Sequence, residues 1–368
     1  MSHQRIVLMA NNIDEVGGAQ RVVHVLAQGF AERGFDVELI GVTPQPPAHE
    51  YHEAPAYRRR VLMSEVWPAG DSSAAVKELR SRLRTEARAK LAEALASGPS
   101  GVLITAQVWA MEIASGIDLT GWRTIGQYHG AFAAAAQGRD LRRVLEAYSP
   151  CDASVFLTPV DAQAWQQAGL NNTVALPNPL AWWPDHPVAA TSRTVGCISR
   201  FSEEKGVQDL LEAWSLIVDE VPTWELLLVG NGPQESSIRE RAAALRGVRM
   251  MAPVADVSSV FSELGVFVLP SRTEGLPLAL MEAMASGVPS VATDCSSGVR
   301  LLAGGELNPA VELVPRGDIP DLASAIRFLI EDEQRREQLA RNARERAQEF
   351  TLDRIVDQWE RLFSRIDR

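Results

Sequence analysis

Short apolar segments alternate with amphipathic segments along the whole chain of 368 residues. The apolar segments are rich in β-branched residues, which favours buried parallel strands, and the segments between them have the spacing of helices that cover a sheet. Strands are predicted near 4–10, 36–42, 101–106, 123–128, 153–157, 194–199, 224–229, 248–251, 265–269 and 289–293. Helices are predicted near 18–33, 74–96, 140–148, 160–168, 206–219, 234–246, 256–263, 277–286 and 320–330. This alternation predicts an α/β protein with two doubly wound parallel sheets.

The chain is long enough for two hydrophobic cores, and its composition indicates where they divide. Proline and small polar residues concentrate in 177–192, which predicts a linker there. We therefore expect one domain over 1–180, a second over 190–350, and a C-terminal helix over 351–368, within a charged and helical tail that begins at 332. Ligands of open α/β sheets bind outside the carboxyl ends of the strands, so two such domains facing each other would share one cleft.

The segment 269–294 carries the most informative chemistry. Glu274 and Glu282 lie eight positions apart, with a glycine-proline turn and one short helix between them. Pro277 suits the first turn of that helix and Gly287 suits its end. The free N–H groups and the positive dipole end of the helix predict an anion site, which Glu282 can face from within the helix. Because a carboxylate beside an anion site is suited to sugar hydroxyls, the segment predicts a sugar-nucleotide site.

Lysine is rare in this chain, so the presence of a lysine at position 205 is informative. Only Lys77, Lys90 and Lys205 are lysines, and arginine supplies every other basic position. Lys205 follows Arg200 by five residues, and a compact ammonium on a flexible stem is a good phosphate ligand. The two cations could close on a diphosphate. The alternative is a surface arginine followed by a lysine at a helix start.

Two further positions lie where predicted strands end. Gly17 and Gly18 precede the first helix, and glycine lets backbone N–H groups approach a ligand closely. An ordinary strand-to-helix turn is the alternative. His129 directly follows the strand near 123–128. Most lone histidines are structural, but this position at a strand end favours a functional role.

The segment with Glu274 and Glu282 resembles the signature of the retaining glycosyltransferases of family four, in which seven residues separate two glutamates. Four more segments resemble that family, namely 12–40, 195–214, 226–233 and 312–332. The resemblance is weakest over 44–120. It implies the GT-B fold, with two Rossmann-like domains facing an interdomain cleft. It also implies acceptor binding by 1–180, nucleotide-sugar binding by 190–350, and a last helix that crosses back to the first domain.

The resemblance also implies roles for individual residues. Arg200 and Lys205 would bind the donor diphosphate, Glu274 would approach the transferred sugar or its phosphate, and Glu282 would bind the ribose. His129 would contact the donor sugar. The implied catalytic set is His129, Arg200, Lys205 and Glu274. The implied donor-binding set is Gly17, Gly18, Arg200, Lys205, Gly230, Glu274, Gly275, Leu276, Pro277 and Glu282.

Charge and composition exclude several other classes of protein. A net charge of −11 argues against nucleic acid as a partner. No aspartate pair with DxD spacing and no His/Cys cluster predicts a metal site, so we expect neither a metal nor a cofactor. Asp14-Glu15 and Glu203-Glu204 are interpreted as solvated loop charges. Three scattered cysteines and the lack of an apolar stretch of ~20 residues predict a reduced, cytoplasmic protein.

The acceptor is the least defined partner. Basic residues between 58 and 90 could place the helix near 74–96 on anionic lipid at the inner membrane face. Acidic residues are interleaved with them, which favours a solvated face. A small molecule, a lipid-linked glycan and a polymer therefore all stay open as acceptors.

The leading hypothesis is a metal-independent retaining glycosyltransferase that moves a hexose-type sugar from a UDP-sugar to an acceptor hydroxyl. One alternative is a nucleotide-sugar epimerase of GT-B architecture, and another is an inactive partner subunit that only binds nucleotide sugar. The sequence leaves open whether Glu274 acts as a nucleophile or the acceptor attacks from the front face. The run 293–302 has Ser296 and Val299 where the family usually has proline, which weakens any assignment of the sugar.

Overall fold

The structure is a computed structural model that describes residues 4–68, 73–188, 191–254 and 256–367. It divides into two compact units, one formed by Met1–Ala181 with Leu352–Arg368 and the other by Trp182–Thr351. The division falls inside the predicted linker 177–192, of which 189–190 lie outside the described residues. The assignment of the acceptor to the first domain and of the nucleotide sugar to the second stays a prediction.

The first unit contains a sheet of seven parallel strands in the order β3-β2-β1-β4-β5-β6-β7. The strands are β1 (Arg5–Ala10), β2 (Asp36–Gly41), β3 (Arg58–Val61), β4 (Val102–Thr105), β5 (Arg123–Tyr128), β6 (Ala153–Phe156) and β7 (Thr173–Ala175). The helices between them are α1 (Gly18–Glu32), α2 (Ala74–Ala96), α3 (Val108–Ala114), α4 (Phe132–Ala136), α5 (Asp140–Tyr148) and α6 (Pro159–Gln167). Strands β1, β4 and β6 are buried along their whole length, as expected of a sheet covered by helices.

The second unit contains a sheet of six parallel strands in the order β10-β9-β8-β11-β12-β13. The strands are β8 (Thr194–Ile198), β9 (Glu225–Val229), β10 (Val248–Met251), β11 (Val266–Leu269), β12 (Ser290–Asp294) and β13 (Glu312–Pro315). The helices are α7 (Val207–Ile217), α8 (Glu235–Ala243), α9 (Val257–Phe261), α10 (Leu278–Ala285), α11 (Ser297–Ala303), α12 (Ile319–Glu331) and α13 (Glu333–Ala347). Strand order reverses between β8 and β11, which is where ligands bind in such sheets.

The last helix, α14 (Leu352–Ile366), belongs to the first unit. The rings of Trp359 and Phe363 lie with centroids 6.0 and 5.5 Å from the ring of Phe30 in α1. Gly29 of α1 allows this approach, since a Cβ there would lie 2.9 Å from the Leu352 side chain. The tail therefore packs on the helix that follows β1.

The predicted pair of doubly wound parallel sheets is confirmed, and the differences are local. The apolar pattern did not reveal β3, β7 and β13, because these strands are short and partly exposed. It also did not reveal the short helices α3, α4 and α11. Helix α10 begins at Leu278, and Pro277 precedes it as the N-cap residue rather than lying in its first turn.

Candidate functional site

Lys205 and Glu274 meet at the carboxyl ends of β8 and β11 in the second unit. The Lys205 Nζ lies 2.7 Å from the Glu274 Oε1, and the Ser271 Oγ donates to the same oxygen at 2.7 Å. The Glu274 side chain is 9% exposed and the Lys205 side chain 26%. A carboxylate oxygen with two donors is fixed in position, and an ammonium beside it stays within reach of a ligand.

The loop after β8 packs closely against the loop after β11, and this contact holds Lys205 beside Glu274. Gly206 has φ +63°, and a Cβ there would lie 2.0 Å from the Pro270 carbonyl oxygen. Only glycine fits this left-handed position and this close approach. The Arg272 backbone N–H also donates to the Glu204 carbonyl at 2.8 Å. The close contact between the loops therefore depends on the backbone as well as on charge.

The start of α11 packs against the turn that follows Glu274. A Cβ on Gly298 would lie 1.7 Å from the Gly275 carbonyl oxygen, so α11 touches the turn backbone directly. Leu276 and Pro277 are buried. Glu282 is 2% exposed within α10, the helix that begins after the turn. Sequence reasoning missed Gly298 and Ser271, although the serine lies only three positions before Glu274.

A second glycine turn, after β9, lies against the loop that carries Arg200. Gly230 has φ +155°, and a Cβ there would lie 1.9 Å from the Ser199 carbonyl oxygen. A Cβ on Gly232 would lie 2.6 Å from the Phe201 carbonyl oxygen. Arg200 is exposed, and its guanidinium forms no ion pair with the parts of the chain that the structure describes. The structure thus places Arg200 and Lys205 on one loop, with Lys205 paired to Glu274 and Arg200 exposed near Glu204.

In the first unit, the Gly17–Gly18 loop joins β1 to α1. Gly17 has extended backbone and Gly18 is exposed. The interpretation of Asp14 as a solvated loop charge is wrong, because its residue is 7% exposed and its carboxylate pairs with Arg59 at 2.9 Å. Glu15 is exposed, as are Glu203 and Glu204 in the second unit.

His129 directly follows β5 at the carboxyl end of the first sheet. Both of its ring nitrogens are shielded from solvent. Burial lowers the pKa of His129 to about 4, against the opposing effect of the Asn178 side chain. The imidazole is therefore neutral near pH 7 and can give one hydrogen bond and accept another. That suits the hydroxyl groups of a sugar better than a phosphate.

The described residues include no group of three or more His, Cys, Asp or Glu side chains placed to hold a metal ion. Cys151 and Cys197 are buried free thiols, and Cys295 is half-buried. Within the described ranges, no helix has the length and apolar character needed to span a membrane. On α2, Lys90 pairs with Glu86 at 2.9 Å and Arg82 pairs with Glu65 at 3.2 Å. These pairs are typical of a solvated helix face and give no support to membrane contact.

Comparison with known proteins agrees with this architecture. Residues 16–180 match the family described as Glycosyltransferase Family 4, and residues 192–332 match Glycosyl transferases group 1. A relative from Haemophilus influenzae, described as an uncharacterized glycosyltransferase, is 25% identical over 97% of this chain and 99% of its own length. A phosphatidyl-myo-inositol mannosyltransferase from Mycolicibacterium smegmatis is 32% identical over 56% of this chain and 55% of its own length.

Solved structures share the whole fold at low sequence identity. Sucrose-phosphate synthase from Thermosynechococcus elongatus superposes with a TM-score of 0.79 at 21% identity, over 99% of each chain. HepE from Anabaena superposes with a TM-score of 0.80 at 18% identity, over 98% of this chain and 100% of its own. The two family matches together cover most of the sequence. The chain therefore belongs to the family four glycosyltransferases and is a transferase with the GT-B fold.

Proposed function

We propose that the enzyme moves a hexose-type sugar from a UDP-sugar to an acceptor hydroxyl, with retention of anomeric configuration and without a metal ion. Use of a nucleotide-sugar donor agrees with its family and with its structural neighbours. The observation that carries the proposal is the cluster of Lys205, Ser271 and Glu274 where the strand order of the second sheet reverses.

The chemistry requires that a nucleoside diphosphate leave the anomeric carbon, so negative charge grows on its phosphates. Cations and N–H groups that are already in place stabilise that charge without reorganisation. Lys205 and Arg200 supply the cations, and the turn that carries Gly275 leads into the N-terminus of α10. We assign the diphosphate to these groups. They take the part that a divalent cation plays in other transferases, which is why we propose a metal-independent reaction.

Glu274 is assigned a positioning role on the transferred sugar. Its Oε1 already accepts hydrogen bonds from Lys205 and Ser271, which weakens that oxygen as a nucleophile and fixes the direction of the other. Glu282 lies eight residues further on, inside α10, and is assigned to the ribose. His129, as a neutral imidazole, is assigned to a hydroxyl of the donor sugar.

Structural neighbours support the choice of donor. HepE from Anabaena was solved in complex with UDP and glucose. TarM from S. aureus was solved with UDP and α-GlcNAc-glycerol, and it superposes with a TM-score of 0.80 at 13% identity. We therefore propose a UDP-hexose as the donor. A small molecule, a lipid-linked glycan and a polymer are all candidate acceptors.

The test is to incubate the purified protein with a panel of nucleotide sugars in EDTA and to measure free nucleoside diphosphate. Release of UDP from one UDP-hexose, unchanged by EDTA, is the expected result. Interconversion of sugars without release would instead identify an epimerase, and binding without either reaction would identify an inactive partner subunit. A loss of release in EDTA that Mg²⁺ restores would contradict metal independence.

The donor found in this way is then offered to a panel of acceptors, and products are identified by mass spectrometry. The anomeric coupling constant of the product, measured by NMR, tests retention. An inverted linkage would contradict the proposed stereochemistry while leaving the transferase assignment intact.

A further inference from the structure

The loop between β1 and α1 is held by a side chain that lies more than 30 residues further along the chain. The Tyr51 hydroxyl accepts a hydrogen bond from the Gly17 N–H at 2.9 Å and lies 2.6 Å from the Glu15 carbonyl oxygen, to which it donates. The Gly17 carbonyl is a second acceptor, at 3.2 Å. The Tyr51 hydroxyl thus donates to one backbone carbonyl and accepts from one backbone N–H of the same short loop.

The ring of Tyr51 is itself fixed by two histidines. It stacks on the imidazole of His24 with a centroid distance of 4.5 Å and an interplanar angle of 29°. His49 packs edge-on against it, also at 4.5 Å. The backbone N–H of His49 donates to the Asp14 carbonyl at 2.8 Å. The segment that carries Tyr51 is therefore joined to the loop at more than one residue.

His24 completes the arrangement from within α1. Its Nε2 lies 2.8 Å from the Ile13 carbonyl, which can only accept, so this nitrogen carries the proton. The Nδ1 then accepts from the Tyr57 hydroxyl at 2.5 Å. Burial lowers the pKa of His24 to about 4 and raises the pKa of Tyr57 to about 12, so both groups are neutral near pH 7. Neutral hydrogen bonds from Tyr51 and His24 thus support the loop, in addition to the ion pair of Asp14 with Arg59.

We propose that Tyr51 is a positioning residue, which fixes the backbone from Glu15 to Gly17 so that the N–H groups at the start of α1 are presented to the donor. This inference rests on the proposed function, which assigns Gly17 and Gly18 to donor binding. Gly17 has no side chain to cap the helix, so the first-turn N–H groups remain available to a ligand. A loop of glycines has high conformational freedom, and Tyr51 removes part of it before the donor arrives.

The test is Tyr51→Phe, which keeps the ring stacked on His24 and removes the hydroxyl. Loss of a neutral hydrogen bond of about 1 kcal/mol corresponds to roughly a fivefold change in an equilibrium constant. We expect hydrogen exchange of the Gly17 amide to accelerate by at least about fivefold. We expect kcat/KM for the nucleotide sugar to fall by a similar factor, at an unchanged melting temperature. Tyr148→Phe is the matched control, since it removes a tyrosine hydroxyl that donates to the Gln127 carbonyl on β5 and makes no contact with this loop or with His24.

Exchange at Gly17 in Tyr148→Phe should equal that of the wild-type chain. Unchanged exchange in Tyr51→Phe would overturn the proposal, and so would faster exchange with unchanged kcat/KM, because the loop would then be held without being used. If Tyr51→Phe does not fold, the wild-type protein still gives a test. Its Gly17 amide must exchange more slowly than its Gly18 amide, and equal rates would overturn the proposal. A wild-type protein that releases no nucleoside diphosphate would contradict the proposed function, whereas the exchange rates are read without turnover.

Discussion

The carboxyl ends of the two sheets are built from different kinds of groups. In the second unit, the loops after β8 and β11 bring together an ammonium, a carboxylate and a hydroxyl within 2.7 Å contacts. In the first unit, the corresponding edge carries His129, whose pKa burial lowers to about 4. The adjacent loop is held by Tyr51 and His24, which are neutral as well, and by the ion pair of Asp14 with Arg59.

We call the cluster of Lys205, Ser271 and Glu274 the charged edge. We call the group of His129, Tyr51 and His24 the neutral edge. The difference between these two groups indicates what each can recognise. A cluster of charges with the exposed Arg200 guanidinium on the same loop is suited to a diphosphate, where charge changes during the reaction. Neutral imidazoles, hydroxyls and backbone N–H groups discriminate hydroxyl positions, because a missing partner leaves a buried polar group unpaired. We infer that the charged groups of the second unit stabilise the leaving group and position the sugar through Glu274, and that the neutral groups of the first unit help to select the sugar. Three perturbations test that contrast.

The largest effect is expected from Lys205→Ala, which removes the ammonium from the charged edge. Loss of one preorganised group that stabilises transition-state charge typically lowers kcat by roughly 10²- to 10³-fold, and we expect a loss in that range. The measurement is UDP release from the best donor at saturating concentration. The fold should be preserved, because the backbone contacts between the two loops, at Gly206 with Pro270 and at Arg272 with Glu204, do not involve the Lys205 side chain.

Lys90→Ala is the matched control for that variant. Lys90 forms an exposed ion pair with Glu86 on α2, and such pairs contribute about 0–1 kcal/mol. Its turnover should equal that of the wild-type protein. Near-normal turnover in Lys205→Ala would remove the lysine from the mechanism and would erase the contrast between the two edges.

The second effect concerns the neutral edge and is a dependence of stability on pH. The folded-state pKa of His24 and of His129 is about 4, below the unfolded value of 6.5. Between these values the unfolded chain binds more protons, so stability is complete above pH 6.5 and falls as the pH is lowered toward 4. Each histidine can lower the unfolding free energy by roughly 3 kcal/mol over this range.

Hydrogen exchange resolved by region measures this effect. Amides of β1 and β5 should lose protection as the pH falls from 6.5 to about 5, after correction for the intrinsic exchange rate. Amides of β8 and β11 should change less, since the second unit contains only His186, which is exposed. In His129→Gln the slope for β5 should decrease. An equal loss of protection in both sheets would contradict the contrast.

The fold and the charged edge could be predicted from the sequence because both rest on local signals. Apolar periodicity revealed most strands, and the spacing of Glu274 and Glu282 placed a site at one strand end. Partners that are distant in the chain could not be found in this way. Nothing near Gly298 indicates that it packs against the backbone of Gly275, and Tyr51 lies in a segment without clear periodicity. Asp14 was misinterpreted for the same reason, since its partner Arg59 is on β3, a short basic strand.

The smallest effect is expected from Ser271→Ala, which leaves both charges of the second edge in place. Its hydroxyl donates to Glu274 Oε1 and is fully buried. Removing it leaves the Lys205 ammonium to hold that oxygen, so the carboxylate is positioned less firmly. A neutral donor to a charged acceptor contributes about 1.5–3 kcal/mol, of which we expect part to appear in kcat as a decrease of roughly 10-fold. KM for the donor should change little, because the diphosphate cations are untouched.

Ser290→Ala separates that role from a general loss of stability. The Ser290 hydroxyl is also fully buried in the second unit, and it donates to the Val288 carbonyl at 3.0 Å. Both variants should lower the melting temperature, but only Ser271→Ala should lower kcat. If the two variants lose activity in proportion to their stability, Ser271 acts through the fold alone. In that case the charged edge would act through the pair of Lys205 and Glu274, without a neutral group to orient it. The two edges would then differ more clearly, one acting through charged groups and the other through neutral groups.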